Sequence, residues 1–474
     1  MLRASIWLLP VVSLLAFVQH ASAQSPAEQP VQPVPAARLD TSPALSPAET
    51  APAEPAPASA PPRPAAAPAA ASEPAPAPPP PPPAASTPGT LDALANLIRF
   101  HGIIRPVVTF SGGALESFSN PNASAPTAAA NPVLANLPDE SRLTLQVAQT
   151  RFGFWINEPG ELRGHLEFDF IDFGKASPTV QALLRLRIAT VEWSPAKNFT
   201  IAAGQDWDLP TPINPFGLNL VGGHFQAGNT GFMRQQIKTT YKPADALELG
   251  FAVGLQAPNA TPKDFAVELA RVPTLALRVT ALLGSLGRLG MGGIITQLRF
   301  APGPMQRRAW AGAGNIFGEL TPTATTTLRF EGYVGSNAAN LGVLSIGQGR
   351  PALDVAEAGG FISVRQGFLS NQAVYATYGT AHTLDPDEVE PSYNYPDMNT
   401  PTFSTAVSAG RGPGIRWNQV ARLGYEWKPL KPLAIALEGF WYNTSHALIP
   451  SDVSRVQTTK PSVLGVDLGM AYSF

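Results

Sequence analysis

Cysteine is absent from this chain of 474 residues. Its absence excludes disulfide bonds, thiolate metal sites and a lipid anchor on an N-terminal cysteine. Charge is also scarce, because Asp, Glu, Lys and Arg make up only 14% of the sequence and the net charge is −2. Nucleic-acid binding usually needs a strongly basic surface, so we expect no nucleic-acid partner.

Long hydrophobic runs are almost absent, and the one at the N-terminus is short. Arg3 precedes an apolar run from Ile6 to Val18, and the small residues 21–23 follow. A transmembrane helix needs about 20 apolar residues, so this run is too short to be a membrane anchor. The pattern predicts a secretory signal peptide over residues 1–23 and an exported chain that begins at Gln24.

Motifs for catalysis and cofactor binding are missing too. The sequence contains no glycine-rich phosphate loop and no cluster of metal ligands at a recognised spacing. His165 and Glu167 are expected to share one face of a strand, but no nucleophile lies near them in the sequence. We therefore expect no catalytic residue, no metal, no cofactor and no enzymatic activity, and the alternative is a barrel hydrolase or protease.

Proline is abundant in one segment. Residues 24–90 hold 22 of the 51 prolines, including an unbroken run over 78–83. Such a composition cannot form a packed core and favours an extended chain, so we expect a disordered periplasmic linker. It is either a plain spacer or a stalk that contacts the cell wall. Residues 91–101 then predict a short helix or a turn, because leucines recur there at helical spacing.

Residues 102–474 read as an all-β domain with sixteen strand-like runs. Most of these runs are longer than an ordinary globular strand and match the 9–11 residues that cross a membrane. The expected strands are 102–110, 142–156, 161–173, 183–194, 198–207, 230–241, 246–256, 273–283, 288–300, 307–318, 324–334, 356–366, 371–380, 416–428, 432–443 and 463–474.

The connections between these runs alternate between short and long. Short turns such as 157–160 and 195–197 alternate with longer polar stretches, of which 111–141 and 381–415 are the longest. This alternation is typical of outer-membrane barrels, in which short periplasmic turns and long external loops lie at opposite ends. The two longest stretches have room for a further hairpin, which would make eighteen strands instead of sixteen.

Within the runs, apolar residues alternate with polar or charged ones. A soluble β-sandwich and a membrane barrel both produce this alternation, with the apolar face in the core of the sandwich or against lipid in the barrel. The even strand count, the alternating connections and aromatic residues near strand ends favour the barrel. The aromatic residues expected to form interfacial girdles include Trp155, Trp193, Trp207, Trp427 and Tyr442.

Sixteen strands enclose an aqueous channel, so the sequence predicts a transmembrane antiparallel β-barrel that conducts solutes. The third long connection, 208–229, carries apolar residues that suit a loop folded into the barrel, although it could instead pack outside on its neighbours. The residues expected to line the pore and set its selectivity are Arg163, Arg185, Arg187, Asp206, Asp208, Arg234, Lys238, Arg278, Arg329, Glu331 and Arg422.

Basic residues outnumber acidic ones on the expected lumen face. Arginine and lysine side chains around a pore favour anions. The alternatives are a mild preference for small anions and a balanced, unselective lumen.

The C-terminus has a pattern of its own. Every second residue near it is apolar, and we expect all of these to face lipid and to mark the chain for the barrel-assembly machinery: Val466, Leu468, Met470, Tyr472 and Phe474. The last strand must then pair with the first, because a spanning sheet cannot leave an open edge in lipid.

Two stretches resemble a known family, the DcaP-like porins. These are 185–207, which contains RLRIATVEW and FTIAAGQDW, and 102–114, GIIRPVVTFSGGA. The resemblance implies a homotrimer of 16-stranded barrels that passes small anionic solutes, notably dicarboxylates. It further implies that Arg185 and Arg187 line the narrowest point, with Gln205 and Trp207 at the base of the loop. A Pro/Ala stretch replaces the periplasmic coiled coil that the family often carries.

The sequence therefore predicts a porin in the outer membrane of a Gram-negative-type bacterium, with its N-terminus in the periplasm. An alternative hypothesis makes the barrel an anchor that residues 24–90 tether to the cell wall.

Overall fold

A computed structural model describes the main part of the chain. The described residues are 97–113, 141–147, 149–158, 160–170, 184–218, 224, 226–231, 233–255, 272–300, 307–338, 356–384, 414–448, 457–459 and 462–474. The expected signal peptide, residues 1–23, and the expected linker, residues 24–90, lie outside this part. So do the interiors of the longest connections.

Sixteen antiparallel strands make up the fold, and three of them consist of two segments. They are β1 (Ile98–Ile104 and Val107–Ser111), β2 (Arg142–Gln146 and Arg151–Ile156), β3 (Leu162–Asp169), β4 (Arg185–Ala196), β5 (Phe199–Trp207), β6 (Met233–Ala244), β7 (Leu247–Gly254), β8 (Thr274–Leu282), β9 (Gly287–Phe300), β10 (Arg307–Thr323), β11 (Thr326–Ser336), β12 (Ala356–Leu369), β13 (Gln372–Thr383), β14 (Gly414–Leu430), β15 (Leu433–Leu448) and β16 (Gln457–Thr459 and Ser462–Ser473).

Each strand pairs with the next one in the chain, and β16 pairs with β1. The seam is formed by pairs such as Ile103 with Ser473 and Val108 with Leu468. The sheet is therefore a closed barrel, which confirms the predicted fold class. Direct pairing of β1 with β2 and of β13 with β14 leaves no place in the ring for a further hairpin.

A β-bulge interrupts the first hairpin. Ile103 pairs with Arg151 and Val107 pairs with Gln146, so β2 has one more residue than β1 between these pairs. The interruption lies opposite Pro106, which has no N–H to donate to the ladder. The extra residue reverses which side chains of β2 face inward. Arg142 and Arg151 therefore face the interior although their positions differ in parity.

The connections alternate in length, as the sequence predicts. Tight turns follow every even-numbered strand up to β14, and the longer connections follow the odd-numbered strands. The expectation of a short helix or turn over 91–101 is wrong for its last part, because residues 98–101 already belong to β1. Their backbone groups pair with β2, and this tertiary pairing overrides a weak local helical pattern.

The barrel has the opposite surface pattern to a water-soluble protein. On β16, Leu468 is 49% exposed whereas its neighbour Asp467 is 5% exposed; on β15, Leu437 is 51% exposed whereas Glu438 is completely buried. Apolar side chains face outward and charges face inward, which is stable only when the surroundings are lipid. No helix among the described residues is long and apolar enough to cross a membrane.

The aromatic girdle is only partly as expected. Trp193 and Trp427 are exposed on the outer surface, as predicted for interfacial residues. Tyr442 is 1% exposed and faces inward, Trp155 stacks on the inward-facing His165, and Trp207 lies beside the Arg187 guanidinium. These three assignments are wrong, because an aromatic residue near a strand end can point to either face.

Candidate functional site: the barrel interior and the β5–β6 loop

Strands β5 and β6 are joined by the segment 208–232, which we call the β5–β6 loop. Its first residues lie against the inner wall of β7 to β10. Leu209 packs with Ala252, Ala276 and Ile294 in a buried apolar cluster. The Arg278 guanidinium donates to the Leu209 carbonyl at 3.0 Å. Short side chains on the wall leave room for the loop to approach the sheet closely.

The next part of the loop contacts β10 to β13. Asn315 donates to the Pro210 carbonyl at 2.7 Å, and Arg329 donates to the Asn214 carbonyl at 3.2 Å. The Arg329 guanidinium also lies 4.3 Å from the centre of the Phe216 ring, a cation–π contact. The backbone N–H of Phe216 donates to the Ser363 hydroxyl at 2.9 Å.

Leu218 brings the loop to the wall on the other side of the barrel. Its N–H donates to the Glu438 carboxylate of β15 at 2.8 Å, and its carbonyl accepts from Arg105 of β1 at 2.9 Å. Its side chain packs with Val107 and Ala436. The Leu218 side chain also lies against Gly469 of β16. Because β16 is eight strands from β8 in a ring of sixteen, the loop reaches from one wall to the opposite one.

Glu438 is the centre of this contact. The fully buried carboxylate accepts from the Tyr375 hydroxyl at 2.7 Å and forms an ion pair with Arg422, which also contacts the Tyr442 hydroxyl. A buried charge is tolerated only when it is paired and hydrogen-bonded. Here the charged group of the wall is satisfied partly by the backbone of the loop.

The returning part of the loop follows β14 to β11. Asn418 donates to the Gln226 carbonyl at 3.0 Å, and the Thr230 hydroxyl donates to Glu331 at 2.6 Å. Gly228 has a φ of 98°, and a Cβ there would lie 2.0 Å from the Gly360 carbonyl oxygen. Glycine is required at this position for both reasons.

The returning segment also contains one buried imidazole. Burial, and to a smaller extent the positive charge of Arg422, lowers the pKa of His224 well below its ordinary value. The imidazole is therefore neutral at physiological pH and adds no charge to the interior.

All the predicted pore-lining residues face the interior, but they have two different environments. Some are buried against the loop or in ion pairs, namely Arg187, Asp208, Arg234, Glu331 and Arg422. The Arg234 guanidinium, for example, holds the first residue of the loop through an ion pair of 2.7 Å to Asp208. The more accessible ones are Arg163, Arg185, Asp206, Lys238, Arg278 and Arg329, each of which forms an ion pair.

Among the described residues, a cluster of charges on β2 to β4 contains three arginines and two acids. Arg185 binds Asp169 with two hydrogen bonds of 2.6 and 2.8 Å, and Arg187 contacts both Asp169 and Glu167. Arg151 lies 4.0 Å from Glu167. Three guanidiniums therefore share two carboxylates. Arg187 is the extra residue of a β-bulge in β4, and it reaches Asp169, the acid that Arg185 also binds, as well as Glu167.

A cavity of about 340 Å³ lies between the start of the loop and the wall. Its lining includes Trp207 and Asn214 from the loop region and Thr240, Lys238 and Arg278 from the wall. Lys238 pairs with Asp206, and Arg278 pairs with Glu248 at 2.7 Å. The cavity is thus lined in part by charged groups, and its cations are partly neutralised by carboxylates.

The apolar residues at the C-terminus share one face of the sheet. All five apolar residues of 466–474 are exposed on the outer face. The backbone of Phe474 exchanges hydrogen bonds of 3.0 and 3.1 Å with Gly102 of β1. The final residue therefore closes the seam of the barrel.

The structure brings together three side chains of types that can bind a metal. His101, His165 and Glu167 each offer a ligand atom, and these atoms lie within 4.8 Å of one another. Sequence spacing does not reveal the group, because His101 and His165 are 64 residues apart on β1 and β3.

Sequence reasoning also missed several residues that hold the loop, including Arg105, Asn315, Ser363 and Tyr375. Their inward position can be inferred from strand alternation. Their partners cannot, because the path of a 25-residue loop is determined by tertiary contacts.

Comparison with solved structures identifies channels of the outer membrane. The DcaP channel of Acinetobacter baumannii superposes with a TM-score of 0.57 and 14% identity, over 80% of this chain and 97% of that chain. An anion-selective porin from Comamonas acidovorans (TM-score 0.48, 12% identity, 80% and 99% coverage) and OprB of Pseudomonas putida (0.49, 11%, 81% and 97%) superpose less closely. The first similarity shows that this chain has the fold of the DcaP channel. No family model and no curated protein matches the chain.

Proposed function

We propose that this protein is an outer-membrane porin through which small hydrophilic solutes diffuse passively. The observation that carries the proposal is the inverted surface of the closed barrel, with apolar side chains outside and ion-paired charges inside. Such a barrel inserts in lipid and keeps a polar path through it. The β5–β6 loop is the third external loop in this proposal and narrows that path, with the short turns and the N-terminus in the periplasm.

The same proposal includes a mild preference for anions such as dicarboxylates. The positive excess of the cluster on β2 to β4 supports it, because rings of arginine attract anions and the planar guanidinium suits carboxylates. The preference is mild because every arginine of that cluster has a carboxylate near it. The resemblance to DcaP-like porins adds the expectation of a homotrimer, which native mass spectrometry of the detergent-solubilised protein would test.

Liposome swelling tests the transport proposal. Liposomes that contain the purified protein should swell in a small neutral sugar and faster in a dicarboxylate of similar size. Protein-free liposomes are the control. Equal rates for the two solutes would refute the anion preference alone, whereas no swelling in either solute would refute the porin function.

The length of the Pro/Ala segment favours a second candidate function, an anchor between the outer membrane and the cell wall. Deletion of residues 24–88 would then cause membrane blebbing without changing solute uptake. Normal envelopes in the deletion strain would rule out the anchor.

A further inference from the structure

We propose that His101, His165 and Glu167 form a binding site for a divalent transition-metal ion on the inner wall of the barrel. The metal ions that this site would bind are Cu²⁺, Ni²⁺ and Zn²⁺. His165 is the fourth residue of β3, which follows the tight turn after β2. The site does not depend on the proposed transport function.

The distance between the two imidazoles is the first argument. The Nε2 atoms of His101 and His165 are 3.2 Å apart. Two nitrogens bound to one metal at about 2.05 Å lie roughly 3.3 Å apart in a tetrahedral site and about 2.9 Å apart at a right angle. The observed distance falls between these values. The two rings are therefore already placed as adjacent ligands.

The rings are also held in place. His165 stacks on Trp155 with ring centres 3.8 Å apart and an angle of 9° between the planes. His101 projects over β2 beside Gly153, where a Cβ would lie 3.0 Å from its Nε2 atom. Glycine on the intervening strand is what allows side chains of β1 and β3 to meet. Preorganised ligands lose less conformational entropy when a metal binds.

Glu167 supplies the third ligand. The ion pairs of its carboxylate with Arg187 and Arg151 both use Oε1. The second oxygen, Oε2, can therefore bind a metal while the ion pairs remain. Solvent from the lumen completes the coordination, because both histidines are only partly buried.

The chemistry of the three ligands selects the metal. Two imidazoles suit Cu²⁺, Ni²⁺ and Zn²⁺, whereas Mg²⁺ and Ca²⁺ require mostly oxygen ligands. Arg151 and Arg187 lower the affinity for any cation, so the nitrogen ligands must provide most of the binding. Affinity should therefore follow the order for nitrogen ligands, with Cu²⁺ bound most tightly.

Metal titration of the untagged full-length protein in detergent tests the site. After removal of metals by chelation, calorimetry should show one Cu²⁺ bound per chain, with weaker Zn²⁺ binding and no competition from excess Ca²⁺. Loss of a residue that only orients a metal ligand costs about 10–100-fold in metal affinity, and loss of the ligand itself should cost no less. His101→Gln and His165→Gln should therefore each weaken Cu²⁺ binding by at least about tenfold. The control His382→Gln removes a histidine of β13 that is distant in the sheet, and should leave the affinity within about twofold of wild type.

The competing explanation is a simple hydrogen bond between the two imidazoles. It predicts no saturable binding, or the same affinity in His101→Gln as in wild type, and either result would overturn the proposal. Electron paramagnetic resonance of the unmodified protein with one equivalent of Cu²⁺ needs no variant to fold. It should show coupling to two imidazole nitrogens, and a spectrum with one nitrogen or none would also overturn the site.

Discussion

The contact between Glu438 and the β5–β6 loop leads to the most specific prediction. In Glu438→Leu a side chain of similar size replaces the carboxylate, and three donors lose their acceptor: the Leu218 N–H, the Tyr375 hydroxyl and the Arg422 guanidinium. The Arg422 side chain is only 1% exposed, so its charge would remain buried without this partner.

The size of the effect follows from that burial. Removing one partner of a buried ion pair costs about 3–5 kcal/mol, and each further unsatisfied buried donor adds about 1–3 kcal/mol. Much of this cost is relieved when the loop leaves the wall and water enters. A bias of about 3 kcal/mol changes the ratio of detached to attached loop by roughly 150-fold. We therefore expect a larger single-channel conductance and a lower unfolding temperature.

Single-channel recording in planar bilayers measures the first effect, and thermal unfolding followed by circular dichroism measures the second. The matched control is Glu426→Leu, which removes an inward carboxylate of β14 that pairs with Arg365 at 2.7 Å. Because this pair is partly exposed, its loss should cost less than about 1 kcal/mol and leave the conductance unchanged. The reasoning is refuted if Glu438→Leu has the conductance and unfolding temperature of the control.

Three further predictions concern charge, backbone geometry and the seam. The double variant Arg151→Gln and Arg185→Gln should shift the reversal potential in a KCl gradient toward cation selectivity. The control double variant Arg163→Gln and Glu192→Gln removes one charge of each sign and should not shift it. Equal shifts in the two double variants would contradict the role of the positive excess. Gly204→Ala should lower the folded fraction on a heat-modifiability gel, because Gly204 has a φ of 132° and a Cβ would lie 1.9 Å from the Ala189 carbonyl oxygen. Gly439→Ala, whose Cβ would meet only the Leu423 carbonyl oxygen at 4.0 Å, should fold normally, and similar behaviour of the two variants would disprove the steric argument. Phe474→Ala should reduce the amount of folded protein in outer-membrane fractions, whereas Phe474→Tyr should give an amount close to that of the wild type. A normal amount of the alanine variant would exclude a role for the terminal ring.

The strands could be predicted from the sequence because their signal is local. Alternation with a period of two repeats along every strand, and it shows both where a strand runs and which residues share a face. On β15 it places Leu437 outside and Glu438 inside without any knowledge of neighbouring strands. The tight turns follow from the same pattern, because a strand must end where the alternation does.

The interior could be predicted only in part. Alternation places Arg422 and Glu438 inside the barrel, but it does not show that Leu218 of a distant loop completes their hydrogen bonds. A bulge also hides the face of a residue, as for Arg151, because one extra residue reverses the alternation. The pairing of His101 with His165 arises from two strands on either side of Gly153. Such contacts depend on register and loop path, which the sequence does not encode locally.

The central claim is that this barrel carries a water-filled path through a membrane, and current across a planar bilayer tests it most directly. Purified full-length protein should produce discrete conductance steps in KCl, with a reversal potential on the anion-selective side under a salt gradient. Insertion without conductance steps would contradict the claim and favour an anchoring role.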